Sequence, residues 1–67
     1  MIMTYEQIKA INDAMSFLSI LHDCRSEEDY LIGRNAHEWQ LTNSGLPKEI
    51  CDHFFDLVRC AAPTDKW

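Results

Sequence analysis

Hydrophobic residues recur at three- and four-residue steps from Met3 to Cys24, which predicts one amphipathic helix over this stretch. The positions that share its apolar face are Ile8, Ile11, Ala14, Met15, Leu18 and Leu21, with Ala10 and Phe17 widening it. The start of the helix is marked locally as well. Thr4 and Gln7 match a capping box, and Met3 with Ile8 matches the hydrophobic staple around such a box.

Helical spacing returns near the end of the chain, where Pro47 is well placed as the first residue of another helix. The buried stripe predicted for this helix comprises Ile50, Cys51, Phe54, Leu57, Val58 and Ala61. A loop over Thr42–Gly45 precedes the helix, and Pro63 ends it before a short tail, Thr64–Trp67.

Between these helices the pattern changes to a period of two, and Tyr30–Thr42 is predicted to form a β-hairpin with its turn at Gly33–Asn35. His37, Trp39 and Leu41 alternate there with Glu38, Gln40 and Thr42. Trp39 is the expected anchor of the hairpin on the helices, since an isolated hairpin is marginal in water. The alternative is a second helix that is capped by Ser26, reaches about Gln40 and is interrupted at Gly33.

The chain is therefore expected to be one α+β domain over residues 1–67, in which two amphipathic helices pack on a central two-stranded hairpin. An all-α domain of three helices is the competing architecture. The predicted core comprises Ile8, Ile11, Met15, Leu18, Leu21, Trp39, Leu41, Ile50, Phe54, Leu57 and Val58.

Chain length and net charge limit the kinds of partner that the protein is expected to bind. A chain of 67 residues is near the lower limit for a single core, which favours stabilisation by a second copy or by a target. Six basic and eleven acidic residues give a net charge of −5, which disfavours nucleic acids and anionic membranes and favours a basic protein partner. No apolar run approaches the roughly 20 residues needed to cross a bilayer.

Metal ligands are not suitably spaced in this chain. His22 and Cys24 lie two residues apart, as do Cys51 and His53. On a helix such pairs point in nearly opposite directions, whereas structural zinc needs four converging ligands. We expect no metal site and no cofactor.

No residue set resembles a catalytic one. Cys60 with Asp56, or Cys24 with His22, would need an orienting third group and an oxyanion hole, and so short a chain lacks the walls of a substrate cleft. We expect no catalytic residue and no enzyme activity.

Acidic residues are the remaining signal. One cluster comprises Asp23, Glu27, Glu28 and Asp29, and a second, along the last helix, comprises Glu49, Asp52 and Asp56. The second cluster also argues against a helix-turn-helix DNA reader, whose outward face needs basic or amide side chains. Either cluster alone is typical of a solvated surface. Together they favour a contact with a basic groove, with Ile20 as an apolar anchor.

These observations favour a non-enzymatic inhibitor or adaptor that binds a basic, nucleic-acid-handling protein. The general profile, a very short acidic domain, is similar to the small inhibitors and adaptors made by phages and mobile elements. The alternative is a homodimeric regulatory or structural protein whose main partner is itself. Three cysteines without a CxxC pair, and the lack of a basic signal-peptide region at the start, predict a cytoplasmic location.

Overall fold

Helices account for all the regular structure in residues 2–67, which are the residues that the computed structural model describes; Lys66 is described by its main chain only. The helices are α1 (Tyr5–Ile20), α2 (Glu27–Thr42) and α3 (Lys48–Cys60), with 3-10 turns at Leu21–Asp23 and Thr64–Lys66. The described residues contain no strand, so the predicted hairpin over Tyr30–Thr42 and the α+β fold class are wrong. The protein is a small all-helical bundle, as the alternative architecture had it.

The start of α1 confirms the capping box. The Thr4 hydroxyl oxygen accepts a hydrogen bond from the Gln7 main-chain N–H at 3.2 Å, and the Gln7 side-chain oxygen accepts one from the Thr4 N–H at 3.0 Å. The α-helix ends at Ile20 and tightens into the 3-10 turn, so its regular part is shorter than the predicted span to Cys24.

The second helix also begins at a local signal, because the Ser26 hydroxyl accepts from the Asp29 N–H at 3.1 Å. Its inward positions follow a helical period, but their polarity conceals it, because the half-buried polar residues Arg34 and His37 lie between buried Tyr30 and Leu41. The hairpin prediction therefore rested on a short run of alternating residues. Trp39, its expected anchor, is 68% exposed on the outer side of α2.

Gly33 lies inside α2 instead of forming a turn. A Cβ atom at this position would stand 2.7 Å from Cζ of Phe17 in α1, closer than real side chains approach. The absence of a side chain therefore lets the buried Phe17 ring lie directly against the α2 backbone. Gly33, which in the sequence suggested a turn or an interrupted helix, is therefore a point of contact between α1 and α2.

Before α3, Gly45 takes a φ of +84°, a left-handed conformation that glycine adopts without strain. Pro47 caps α3, and the helix proper begins at Lys48, one residue later than predicted. Cys51 and Val58 face the core from α3.

The middle helix α2 packs on both neighbours, whereas α1 and α3 contact each other least. The buried residues form one cluster of Ala10, Ala14, Leu41, Leu46 and Cys51, and another of Phe17, Leu21, Tyr30 and Val58. The molecule is an elongated bundle, 40 by 18 by 16 Å.

The predicted core is correct in part. Leu21, Leu41 and Val58 are buried, and Ile11, Leu18, Ile50 and Phe54 are half-buried. Ile8, Met15, Trp39 and Leu57, which were expected inside, are exposed. On α1 the buried residues are Ala10, Ala14 and Phe17. Ile8 and Met15 point about 100° or more away from Ala14, so they lie at the edge of the apolar arc and stay exposed.

Candidate protein-binding surface

One side of α2 carries two large apolar side chains that no other element covers. Ile32 and Trp39 are 63% and 68% exposed and lie seven residues apart, so they share one side of the helix. Glu28, one turn before Ile32, and Asn35 between them fall on the same side. We call these four residues, Glu28, Ile32, Asn35 and Trp39, the outer stripe of α2.

An open groove adjoins the outer stripe beside Trp39. It holds about 210 Å³ and is lined by Glu6 and Lys9 of α1 and by Trp39, Gln40, Asn43 and Ser44. Small-molecule sites are typically larger, about 300–1,000 Å³, and enclose most of their ligand. The groove therefore suits a single protruding side chain of a partner better than a small substrate.

The first predicted acidic cluster lies at the start of α2, next to one end of the outer stripe. Glu27, Glu28 and Asp29 form the first turn of that helix, where negative charge also stabilises the helix dipole. Asp23 is 71% exposed in the preceding turn, 3.3 Å from the ring nitrogen Nε2 of His22. The three residues of the first turn have no ion-pair partner among the side chains that the structure describes.

The predicted apolar anchor Ile20 is exposed at the end of α1. It lies two turns after Asp13, on the same side of the helix, and Asp13 accepts a hydrogen bond of 2.8 Å from Gln40 of α2. Ile20 is therefore on the side of α1 that adjoins α2, just before the turn that carries Asp23.

The structure does not bring the second acidic cluster to this surface. Cys51 of α3 donates to the Leu41 carbonyl at the end of α2, so Glu49 and Asp52, near the start of α3, lie at the opposite end of the bundle from Glu27. Asp52 is paired with Lys48 at 3.2 Å, whereas Asp56, one turn later, is exposed. The two clusters form separate acidic patches.

The basic side chains are largely neutralised within the chain. Lys9 contacts Asp13 at 3.0 Å and Lys48 contacts Asp52. Arg59 donates two hydrogen bonds to the Glu38 carboxylate, of 3.1 and 3.2 Å, in a bidentate ion pair. Arg34 approaches the same carboxylate at 3.9 Å. Excess negative charge is consequently exposed at the residues that lack such partners, including Glu27, Glu28 and Asp29.

These contacts shift the pKa values of the groups that make them. The hydrogen bonds from Gln40 and then Lys9 lower the pKa of Asp13 below its ordinary value, and the Glu38 contact raises that of Arg59. Burial raises the pKa of the Cys51 thiol, whose sulfur donates to the Leu41 carbonyl at 3.4 Å. Cys51 is thus a packed thiol and not a thiolate nucleophile.

The residues that the structure describes contain no group of three or more His, Cys, Asp and Glu side chains that could hold a metal ion. None of the described helices combines the length and the apolar content that crossing a membrane would require.

Comparison of the chain with known protein families, with curated proteins and with solved structures gave no match.

The sequence did not indicate the outer stripe, because the predicted hairpin places Ile32 and Trp39 on opposite strands. Their seven-residue spacing was the available signal, since it places both on one side of a helix. This spacing indicates a shared side only if the segment is known to be a helix.

Proposed function

We propose that this protein is a non-enzymatic binding module that inhibits or adapts another protein, and that its target presents a basic surface. The observation that supports this proposal best is the outer stripe of α2, where Ile32 and Trp39 are exposed on the same helix that begins with the acidic turn Glu27–Asp29. Aromatic residues with neighbouring apolar groups are typical energetic centres of protein interfaces.

The charges and the apolar residues have different roles in this proposal. Glu27, Glu28 and Asp29 steer a basic partner towards the end of the bundle, which raises the association rate at low salt. Trp39 and Ile32 then enter an apolar recess of the partner and slow dissociation, with Ile20 and Asp23 at the edge of the contact. Glu49, Asp52 and Asp56 form a second acidic patch, available to a partner that reaches across α3.

The same proposal includes a reducing cytoplasm as the place of action. All three cysteines are free thiols, and Cys60 is exposed, a state that reducing compartments maintain.

Photo-crosslinking in the native cells tests the proposal. A benzophenone amino acid replaces Trp39, and a matched chain carries it at Ser16, which is exposed on α1. We expect one partner with a basic surface to be captured at position 39 and not at position 16. Capture of the same proteins at both positions, or of none at position 39, would contradict the assigned surface.

Binding of the purified partner separates the two roles. Reversing Glu27, Glu28 and Asp29 to Lys should lower the association rate at least tenfold at low salt and remove most of its salt dependence. Trp39→Ala should instead raise the dissociation rate. Reversal of Glu49, Asp52 and Asp56 is the comparison: if it abolishes binding while the first reversal does not, the partner uses α3 and the proposed surface is wrong.

A further inference from the structure

A second uncovered apolar surface lies where α1 and α3 adjoin, away from the outer stripe of α2. Ile8 and Met15 of α1 and Leu57 of α3 are its exposed members, and Met15 is 56% exposed. Half-buried Ile11, Leu18 and Phe54 form its floor, packed on the two core clusters. We call these six residues, Ile8, Met15, Leu57, Ile11, Leu18 and Phe54, the α1/α3 face.

The α1/α3 face has no charged residue, although a quarter of the chain is Asp, Glu, Lys or Arg. At about 100° per residue, its neighbours on the outer side of α1 are Asn12 and Ser19, and those on the outer side of α3 are His53 and Cys60. Glu49 and Asp56 lie further round α3. An apolar face whose nearest outer neighbours are not Asp, Glu, Lys or Arg differs from the acid-flanked outer stripe and suits a different partner.

We infer that the α1/α3 face is the contact surface of a homodimer, so that its partner is a second copy of this chain. Each copy carries a net charge of −5, and two copies repel each other wherever their acidic patches meet. The α1/α3 face holds no acid, and a two-fold axis would pair it with itself. A basic protein would find no carboxylate there to contact, so the charge distribution favours a copy over the target proposed above.

The dimensions of the face fit a reversible dimer. A helix of 16 residues is about 24 Å long, and two helices side by side are about 20 Å wide, which gives a footprint of roughly 500 Å² on each copy. Two such footprints total on the order of 1,000 Å², the lower boundary for specific interfaces. The contact also covers apolar surface that a core of this size leaves open, and we expect a dissociation constant in the micromolar range.

Sedimentation equilibrium of the full chain tests the inference, from about 5 μM to about 1 mM protein at low salt and at about 0.5 M NaCl. The mass should rise with concentration from 7.8 kDa towards twice that value. Added salt should strengthen association, because it screens the repulsion between two acidic copies. A target held by the acidic turn of α2 would respond to salt in the opposite direction, so the two interactions are separable.

Substitutions locate the interface. Met15→Glu and Leu57→Glu place like charges within the face and should weaken dimerisation at least tenfold, and Asn12→Glu at its edge should weaken it without removing an apolar side chain. Ile32→Glu is the matched control, because it makes the same kind of change at an exposed apolar residue of α2 and should dimerise as the natural chain does. Circular dichroism checks that each variant remains helical.

Two results would overturn the inference. One is a mass of 7.8 kDa throughout the concentration and salt series. The other is a dimer that persists in helical Met15→Glu, Leu57→Glu and Asn12→Glu variants or is lost in Ile32→Glu, since that pattern places the contact on another surface.

Discussion

The hydroxyl group of Tyr30 donates a buried hydrogen bond of 3.0 Å to the main-chain carbonyl of Val58, which joins the start of α2 to the last turn of α3. In a continuing α-helix the Ala62 amide would donate to the Val58 carbonyl, but it donates to the Arg59 carbonyl instead. The Tyr30 hydroxyl therefore supplies a donor to a carbonyl that the end of α3 leaves without one. The Trp67 ring lies 5.3 Å from the Tyr30 ring, between centroids. Tyr30 therefore fixes one end of the bundle.

Replacing Tyr30 with Phe should lower the free energy of unfolding by about 1–2 kcal/mol, because the buried Val58 carbonyl loses its donor while the apolar packing is kept. Urea denaturation followed by circular dichroism measures the change. Tyr5→Phe is the control, since Tyr5 is 74% exposed, and it should change stability by less than about 0.5 kcal/mol. Equal stability of the two variants would show that the hydrogen bond contributes nothing net.

Gly33→Ala should destabilise the protein by about 1–3 kcal/mol, although alanine ordinarily favours a helix over glycine by about 1 kcal/mol. The added methyl group would overlap the buried Phe17 ring, which has little room to move. Asn35→Ala, at an exposed position of the same helix, should be neutral or slightly stabilising.

A double-mutant cycle with Phe17→Leu tests the cause of this loss. Shortening the ring should relieve the overlap, so the double variant should be more stable than the sum of the single changes predicts. Additive effects would mean that Gly33 is required for another reason.

Asp13 should make stability depend on pH in a defined direction. Its pKa is lowered in the folded state by Gln40 and Lys9, so its contribution is fully present above its ordinary pKa, near 3.9, and is lost as pH falls through the lower folded value. The stability difference between the natural chain and Asp13→Asn should therefore shrink as pH falls from about 6 to about 2.5.

Urea denaturation at several pH values measures that difference. Glu6→Gln, at an exposed position of the same helix, removes no ion pair among the described side chains and should show a smaller dependence on pH over this range. A difference for Asp13→Asn that stays constant with pH would contradict the assigned contacts.

Local signals in the sequence determined where α1 and α3 form and how α1 begins. Thr4 with Gln7 acts within a single turn, and the apolar periodicity of both segments is a property of neighbouring turns. The pair Ser26 and Asp29 carried the same kind of information for α2, but the polar residues Arg34 and His37 on its inner side concealed the period. The net negative charge likewise followed from the amino-acid composition.

The tertiary structure alone decided which part of each apolar arc is covered. The arc of α1 is wide enough to include both Ala14, which is buried, and Met15, which is exposed. The choice between them depends on where α2 and α3 lie around α1, and the contact of the Phe17 ring with the α2 backbone at Gly33 fixes the position of α2. Helical periodicity predicts only the direction in which each side chain points from its own helix. The uncovered surfaces at Trp39 and at Met15 follow from how the three helices pack together.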